Sequence, residues 1–130
     1  MVRGRVVLQG FSRTFTGVAI IDTGAAVTLI DTSLAEDVGV KYLDRIVKLV
    51  IADGHEVLAK LAIVERLFLE DEELPYAHIA IVDFPDRLKE RLKSLELSDK
   101  CIIGMSTLEI LGLIPNTTTG RLEKLGSLLL

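Results

Sequence analysis

Short apolar runs separated by frequent turn residues constrain the fold of this chain more than any other feature. Such runs, each bounded by Gly, Asp, Asn or Ser, are typical of strands in a mostly β domain. No uncharged run approaches the roughly 18 residues that a membrane-spanning helix needs. The chain has 130 residues, which is the usual length of one domain. The pattern therefore predicts a single, mostly β domain over residues 1–130, with two or three short helices.

Two of these helices are indicated by capping boxes, in which a Ser and a Glu three residues later satisfy free backbone N–H groups at a helix start. In both cases a glycine that can end the helix follows. The two boxes and their glycines are Ser33 and Glu36 before Gly39, and Ser106 and Glu109 before Gly112. We therefore predict helices over residues 34–38 and 106–111.

A third helix is predicted over residues 85–93. Leu88 and Leu92 lie four residues apart there, and charged side chains surround them. That spacing places both leucines on one face of a helix and the charges on the other. The segment is expected to be an amphipathic helix on the surface.

Turn residues place the main hairpin and two loops. Asp53-Gly54 lies between two apolar runs and favours the two-residue turn of a β-hairpin. The acidic run at residues 70–73 is interpreted as a solvated loop, and residues 116–120 as a turn. His78 alternates with apolar neighbours, which predicts that it lies on the polar face of a half-buried strand.

Charge and composition exclude several classes of function. Lys and Arg number 15 against 19 Asp and Glu, a net charge of −4 that does not favour a nucleic-acid partner. The single Cys101 cannot form an intrachain disulfide, and with only His55 and His78 the chain lacks the ligands of a structural zinc site. The apolar run among the first residues is too short for the hydrophobic region of a secretory signal. We expect a cytoplasmic protein with no metal, no cofactor and no membrane partner.

Asp22 stands in an apolar stretch where a carboxylate requires an explanation. Burying it unpaired costs several kcal/mol. Gly24, two residues later, allows a tight turn that brings backbone N–H groups to the carboxylate. Asp22 either begins an ordinary Asx-turn between two strands or belongs to a reactive site. Asp31, in contrast, is expected near the start of the first helix and not as a catalytic partner.

The segment around Asp22 resembles the catalytic segment of aspartic proteases. Residues 20–29 read IIDTGAAVTL, and Ile102-Ile103-Gly104 before a short helix resembles the second signature of that family. The Asp53-Gly54 hairpin lies between them, where these enzymes carry the flap that closes over substrate. The order and the spacing of these three segments are similar to those in the single-domain, retroviral-type (retropepsin-like) members of the family. The resemblance covers residues 5–125.

This resemblance implies a single-lobe acid-protease fold, a closed β-barrel, that is dimeric. The chemistry requires two carboxylates about 3 Å apart that share one proton. Because the chain has no second Asp-Thr-Gly or Asp-Ser-Gly, the dyad is expected to join Asp22 to Asp22 of a second chain. The implied function is an aspartic endopeptidase that hydrolyses peptide or protein substrates through water-mediated general acid/base catalysis.

The resemblance also implies roles for the residues near Asp22 and in the hairpin. Thr23 is expected to hold the two loops together across the dimer axis, and Gly24 to let the loop backbone approach the carboxylates. The residues implied to contact substrate are Ala25, Ala26 and Val27 in the loop, and Asp53, Gly54 and His55 at the flap tip. The terminal strands at residues 2–8 and 128–130 are expected to interleave in a dimer sheet, with packing inside one chain as the alternative.

The chain departs from the retroviral pattern at three places. Ala26 and Val27 stand where acidic residues are frequent, and Met105 stands where an Arg follows the second signature, which indicates apolar packing in place of an ion pair. The flap tip is not glycine-rich. Residues 83–98 form a longer segment than the retroviral enzymes have at this place in the chain. We interpret the additional residues as an added helix.

Two alternatives to a protease remain open at this level. The same fold could form a dimeric peptide- or protein-binding domain that does not cleave or cleaves very slowly. A strand followed by Asp22-Thr23-Gly24 could also be the phosphate-binding loop of an actin-like ATPase, although that fold needs two domains and a far longer chain.

Overall fold

A computed structural model of the chain describes residues 1–50 and 54–125, which contain nine strands and three helices. The strands are β1 (Arg3–Gln9), β2 (Thr14–Ile21), β3 (Leu29–Asp31), β4 (Lys41–Val50), β5 (Glu56–Leu69), β6 (Glu72–Val82), β7 (Cys101–Ile103), β8 (Leu113–Asn116) and β9 (Arg121–Lys124). The helices are α1 (Thr32–Val38), α2 (Asp86–Ser94) and α3 (Met105–Leu111). The prediction of a mostly β fold with two or three short helices is confirmed.

Six strands close into a barrel in the order β1-β2-β7-β3-β6-β5, because β1 also pairs with β5. The seventh strand of this sheet, β4, adds to the free edge of β5. Most pairs are antiparallel, whereas β2 runs parallel to β7 and β3 runs parallel to β6. The closed barrel matches the predicted fold and excludes the alternative of a two-domain ATPase.

The barrel places β1 inside the sheet of its own chain. Arg3 to Gln9 pair with β2, and the second half of β1 pairs with β5. This pairing favours the alternative of packing inside one chain for the N-terminal strand, whose second half has ladder partners on both sides. The other predicted dimer strand, residues 128–130, lies outside the described residues.

Strand alternation divides the apolar side chains into two clusters. Along β6, Ile79 and Ile81 face one cluster, whereas Ala80 and Val82 face the other. All six barrel strands contribute to the inner cluster, whose largest buried members are Leu8, Ile30, Leu34, Leu67, Leu69, Ile79, Ile103 and Leu108. The buried members of the outer cluster are Ala59, Ala80, Val82, Phe84, Leu92, Leu97 and Ile102. The sheet therefore separates two apolar layers.

The helix starts differ from the predicted capping boxes. The N-cap of α1 is Asp31, whose side chain accepts a hydrogen bond from the Ser33 N–H. Helix α3 follows Gly104 and has no side-chain cap, because the chain passes from β7 into the helix without an intervening loop. Both boxes are therefore wrong predictions. Gly39 and Gly112 end the two helices as expected, with positive φ angles of 81° and 67°.

The barrel sheet contains two long hairpins. The predicted one joins β4 to β5, where Val50 pairs with Glu56, and Asp53 lies outside the described residues. The second, between β5 and β6, turns at Glu70 and Asp71. The interpretation of residues 70–73 as a solvated loop is thus wrong for its second half, which pairs with β5. His78 is exposed between buried neighbours, as alternation predicts.

The remaining elements are α2 and a separate hairpin. The predicted surface helix at residues 85–93 is confirmed as α2, which buries Leu92. β8 and β9 form their own two-stranded sheet, and the predicted turn between them is held by the Asn116 side-chain oxygen, which accepts from the Thr118 and Thr119 N–H groups. No helix among the described residues has the length and apolar character needed to span a membrane.

Candidate active site

Asp22 lies where β2 ends, and its main chain continues the ladder toward β7. The Asp22 N–H donates to the Ile103 carbonyl oxygen at 2.9 Å. The Asp22 carboxylate is exposed, and its Oδ1 accepts from the Gly24 N–H at 2.9 Å. This is the Asx-turn that the sequence allowed. The desolvation cost that the apolar flanks suggested is avoided, because Asp22 is exposed although Ile21 beside it is buried.

The loop after Asp22 is fixed by main-chain bonds to the start of α3. The Met105 N–H donates to the Ala25 carbonyl oxygen at 2.8 Å, and the Ser106 N–H donates to the Ala26 carbonyl oxygen at 3.0 Å. These bonds satisfy N–H groups that a helix start leaves without an intrahelical partner. The helix therefore positions the loop that carries the carboxylate.

Gly104 allows this contact by bringing two backbones together. A Cβ atom at this position would lie 2.2 Å from the Val27 carbonyl oxygen and 2.3 Å from the Val27 carbonyl carbon. Both distances are far shorter than any real contact of a Cβ atom, and the atoms are backbone. The close contact between the loop and residue 104 therefore requires a glycine, because any side chain would collide with the Val27 backbone.

A hydrogen bond between two buried threonines also joins the segment after Asp22 to α3. Thr28 Oγ1 and Thr107 Oγ1 are 2.7 Å apart, and the Gly104 N–H donates to Thr28 Oγ1 at 3.0 Å. The two residues are 79 positions apart in the chain, and each is fully or almost fully buried. Sequence reasoning missed this pair. The available signal was Thr28 itself, a polar residue between apolar neighbours in a predicted strand.

The apolar packing expected around Ala26, Val27 and Met105 takes a different form. Val27 packs against the outer cluster, Met105 packs against the inner cluster, and Ala26 is exposed. The two segments are joined by their main chains and not by these side chains. Backbone hydrogen bonds therefore join the loop to the start of α3.

The β4–β5 hairpin and the Asp22 loop share the outer cluster. Leu49 and Val57, on the inward face of the hairpin, pack against it, and so do Ala25 and Val27. Gly54 and His55 are exposed and directly precede β5, and Gly54 has a φ of 88° that suits a turn. Of the sequence-predicted site residues, Ala25 and Val27 pack against this cluster, whereas Gly54 and His55 are exposed in the hairpin and Asp53 is not among the described residues.

Other reactive groups in the described residues do not form a competing site. Burial raises the pKa of the Cys101 thiol to about 12, which keeps it protonated and unreactive at neutral pH. Within residues 1–50 and 54–125, no group of three or more His, Cys, Asp or Glu side chains is arranged to hold a metal ion.

Asp31 is the carboxylate that the structure buries. It is 3% exposed, and it accepts from the Phe84 N–H at 2.8 Å, from the Ser33 N–H at 3.1 Å and from the Ser33 hydroxyl. The Lys89 Nζ atom lies 3.6 Å from its Oδ2. Burial opposes ionisation, but these hydrogen bonds and the lysine outweigh it and lower the pKa of Asp31 below 3.8. Asp31 thus joins α1 to α2, as a structural group near a helix start.

Replacing Asp31 by Asn is expected to lower the free energy of unfolding by about 2 kcal/mol near neutral pH, because an amide cannot accept all of these hydrogen bonds. A lowered carboxyl pKa stabilises the fold above the unfolded pKa, and that contribution disappears as pH falls through the folded pKa. Denaturant unfolding of both proteins should therefore show a difference near pH 7 that shrinks at about pH 2. A difference independent of pH would contradict the assigned cause.

Comparisons with known proteins agree with this geometry. The chain is similar to the crystal structure of the retroviral protease-like domain of Ddi1 from Leishmania major, with a TM-score of 0.55 and 14% sequence identity. That match covers 95% of this chain and 87% of the other. Among proteins with curated descriptions, none matches this chain. The model of a family described as aspartyl protease matches residues 6–107, which include Asp22 and the second signature. The chain therefore belongs to the aspartyl protease family and has a retroviral protease-like fold.

Proposed function

We propose that this protein is an aspartic endopeptidase whose catalytic dyad is formed by Asp22 of two identical subunits. The observation that carries the proposal is an exposed Asp22 carboxylate on a loop held by α3, in a chain with a single Asp-Thr-Gly. An exposed carboxylate on a rigid loop can meet its counterpart across a two-fold axis. One chain thus supplies half of the site.

The reaction requires one ionised and one protonated carboxyl group. The ionised Asp22 takes a proton from a water molecule, whose oxygen attacks the carbonyl carbon of the peptide bond. The protonated Asp22 gives its proton to the carbonyl oxygen as the tetrahedral intermediate forms. The carbon–nitrogen bond then breaks as the nitrogen accepts the proton that the first Asp22 took from water, while the second Asp22 takes a proton from a hydroxyl group of the intermediate. An amine and a carboxylic acid are released.

Residues beside the dyad are proposed to position the loop and the substrate. Gly24 donates its N–H to Asp22 Oδ1 within one chain, which orients the carboxylate. Thr23 is exposed next to it and is proposed to bond across the dimer axis. The substrate is proposed to lie along residues 25–27 and beneath residues 53–55 of the β4–β5 hairpin, which acts as the flap.

The β8–β9 hairpin is the surface that we propose for dimerisation. It is a two-stranded sheet, and such a sheet is marginally stable alone. Ile114 on β8 is 46% exposed, and Ile110 on the adjoining α3 is 67% exposed. The hairpin is close to the site, since a Cβ atom on Gly4 would lie within 3.1 Å of Leu122 and 3.3 Å of Ile21, the residue before Asp22. A second copy can extend this sheet and bring the two loops together.

Ile114→Lys is expected to dissociate the dimer and to lower cleavage at a given concentration by at least tenfold, because a charge is placed in an apolar contact. The matched control is Phe11→Lys. Phe11 is 48% exposed and lies beyond the end of the β1–β2 pairing that is farthest from Asp22. Sedimentation and cleavage of a peptide library, measured over a dilution series, give the readout. Equal activity per subunit at all dilutions would contradict the dimeric site.

Cleavage of the library by the wild-type protein, and its inhibition by a statine-type transition-state analogue, test the activity itself. A dimer that binds peptides but cleaves none of them would favour the non-catalytic binding domain. The proposal also includes a cytoplasmic location. It includes no nucleic-acid partner, since the net charge of −4 does not favour binding to phosphates.

A further inference from the structure

One face of the β4–β5 hairpin carries exposed apolar side chains. Val47 and Leu49 on β4 pack against the outer cluster, so the residues that alternate with them lie on the opposite face of the hairpin. Ladder partners share a face, which brings residues of β5 to the same side. The residues of this opposite face form the hairpin patch, which consists of Tyr42, Ile46, Lys48, Val50, Leu58 and Lys60.

Apolar and cationic side chains alternate across the hairpin patch. Ile46 pairs with Lys60, and Lys48 pairs with Leu58. Ile46 and Leu58 are each 65% exposed, and Val50 is 71% exposed. The Lys60 Nζ atom lies 5.8 Å from the centre of the Tyr42 ring, a distance typical of a cation–π contact. Each lysine is therefore surrounded by apolar surface that remains open to water.

The two lysines of the patch have no carboxylate partner in the described chain. Further along β5, Arg66 forms an ion pair with Glu73 on the neighbouring strand. Neither Lys48 nor Lys60 forms an ion pair with any described residue. The whole chain has a net charge of −4, so this pair of cations is a local exception. Charge complementarity favours a partner that brings carboxylates together with apolar side chains.

The edge of the sheet beside the patch is also free. β4 is the last strand of the seven-stranded sheet, and no described strand pairs with its other edge. An extended peptide can pair with such an edge through main-chain hydrogen bonds. An open cavity of about 370 Å³ adjoins the bulge in β4, and it can receive a peptide side chain. Its lining residues are Tyr42, Asp44, Arg45, Ile46, Lys60 and Leu61.

We propose that the hairpin patch binds an extended segment of a protein partner, which adds to the free edge of β4 and presents alternating acidic and apolar side chains beside the patch. One carboxylate of the segment lies beside Lys48, and a second enters the cavity beside Arg45 and Lys60. The apolar side chains between them pack against Ile46 and Val50. This face is opposite to the one that packs against the outer cluster, so the inference goes beyond the proposed function and does not depend on it.

Two carboxylates make a membrane surface the poorer occupant. Glu56 pairs with Val50 at the end of the patch, and Asp44 lines the cavity. A flat anionic surface would meet both carboxylates, whereas a peptide can place its own carboxylates beside the cations alone. The charges therefore favour a peptide over a lipid surface.

Charge reversal tests the patch directly. The probes are a peptide that repeats Glu-Thr-Leu-Thr twice and the same peptide with Lys in place of Glu, and every protein carries Asp22→Asn so that no probe is cleaved. The protein should bind the Glu peptide at least tenfold more tightly, and Lys48→Glu combined with Lys60→Glu should reverse this preference. Loss of folding cannot imitate the reversal, because it requires a gain in affinity for the Lys peptide.

The matched control combines Arg87→Glu with Arg91→Glu. Both arginines are exposed on α2, and the change in net charge is the same. This control should keep the preference for the Glu peptide. Equal affinity for the two peptides, or an equal loss of preference in both double variants, would overturn the proposal.

Further measurements separate the peptide from other occupants. Methylation of alternate main-chain nitrogens of the Glu peptide should weaken its binding at least tenfold for one of the two alternate sets, and unchanged binding for both sets would overturn the addition to β4. Binding to vesicles that contain phosphatidylserine, without binding to the Glu peptide, would assign the patch to a membrane. A change in oligomeric state that only the Lys48 and Lys60 double variant shows on sedimentation would assign the patch to a second copy. Either of these last two results overturns the proposal.

Discussion

Asp22→Asn is expected to lower peptide cleavage by a factor on the order of 10⁴ while the protein remains folded and dimeric. The amide cannot act as a base toward water, and it cannot release a proton to the carbonyl oxygen. The fold should survive, because the Asn oxygen can still accept from the Gly24 N–H, and residue 22 is exposed. The measurements are kcat/KM on a peptide substrate and the midpoint of denaturant unfolding.

The control for this variant is Asp71→Asn. The Asp71 side chain is 96% exposed in the turn between β5 and β6, and its substitution should leave cleavage unchanged. Mixing offers a second measurement. Adding an equal amount of Asp22→Asn subunits should reduce wild-type activity by about half after exchange, since half of the wild-type subunits then lie in mixed dimers. Activity that is unaffected by mixing would show that each chain acts alone.

Gly104→Ala is expected to have the second large effect, a loss of about 3 kcal/mol or more in the free energy of unfolding. The added Cβ would meet the Val27 backbone at 2.2 Å, and backbone atoms cannot rotate away as a side chain can. Moving the loop breaks the bonds that Met105 and Ser106 donate to it, so cleavage should fall as well. Thermal unfolding and peptide cleavage, measured on the same preparation, test both effects.

Gly17→Ala provides the steric comparison. Its Cβ would also meet an atom at short distance, 2.8 Å, but that atom is the end of the Phe15 ring. The ring can turn aside, so this variant should lose less than about 1 kcal/mol. Similar destabilisation by the two variants would refute the explanation that the clash with the Val27 backbone causes the loss of stability in Gly104→Ala.

Part of the geometry of the candidate site could be predicted from local sequence, because Asp22 and the residues that follow it are close together in the chain. Asp22 and Gly24 are two positions apart, and their hydrogen bond follows from a local turn. The helix ends at Gly39 and Gly112 were predicted for the same reason, since a left-handed residue is a local requirement.

The helix starts were predicted less well, because distant residues decide them. Asp31, and not the predicted Ser33, is the N-cap of α1. The Asp31 carboxylate also accepts from the N–H of Phe84, 53 positions away. The hairpin at Glu70 and Asp71 was missed since its acidic residues resemble a solvated loop. Glu72 and Glu73 nevertheless lie in β6, where Glu73 forms an ion pair with Arg66 on the neighbouring strand β5.

By itself, the sequence determined the mostly β class and the single Asp-Thr-Gly that makes Asp22 the candidate carboxylate, because these depend on short patterns and on counting one motif. Only the tertiary structure decided that β1 closes the barrel within its own chain and that Thr28 meets Thr107. The same holds for the outer cluster, which joins β2, the β4–β5 hairpin and α2. Those features depend on which distant segments pack together, and packing depends on the shapes of whole faces, which no local pattern records.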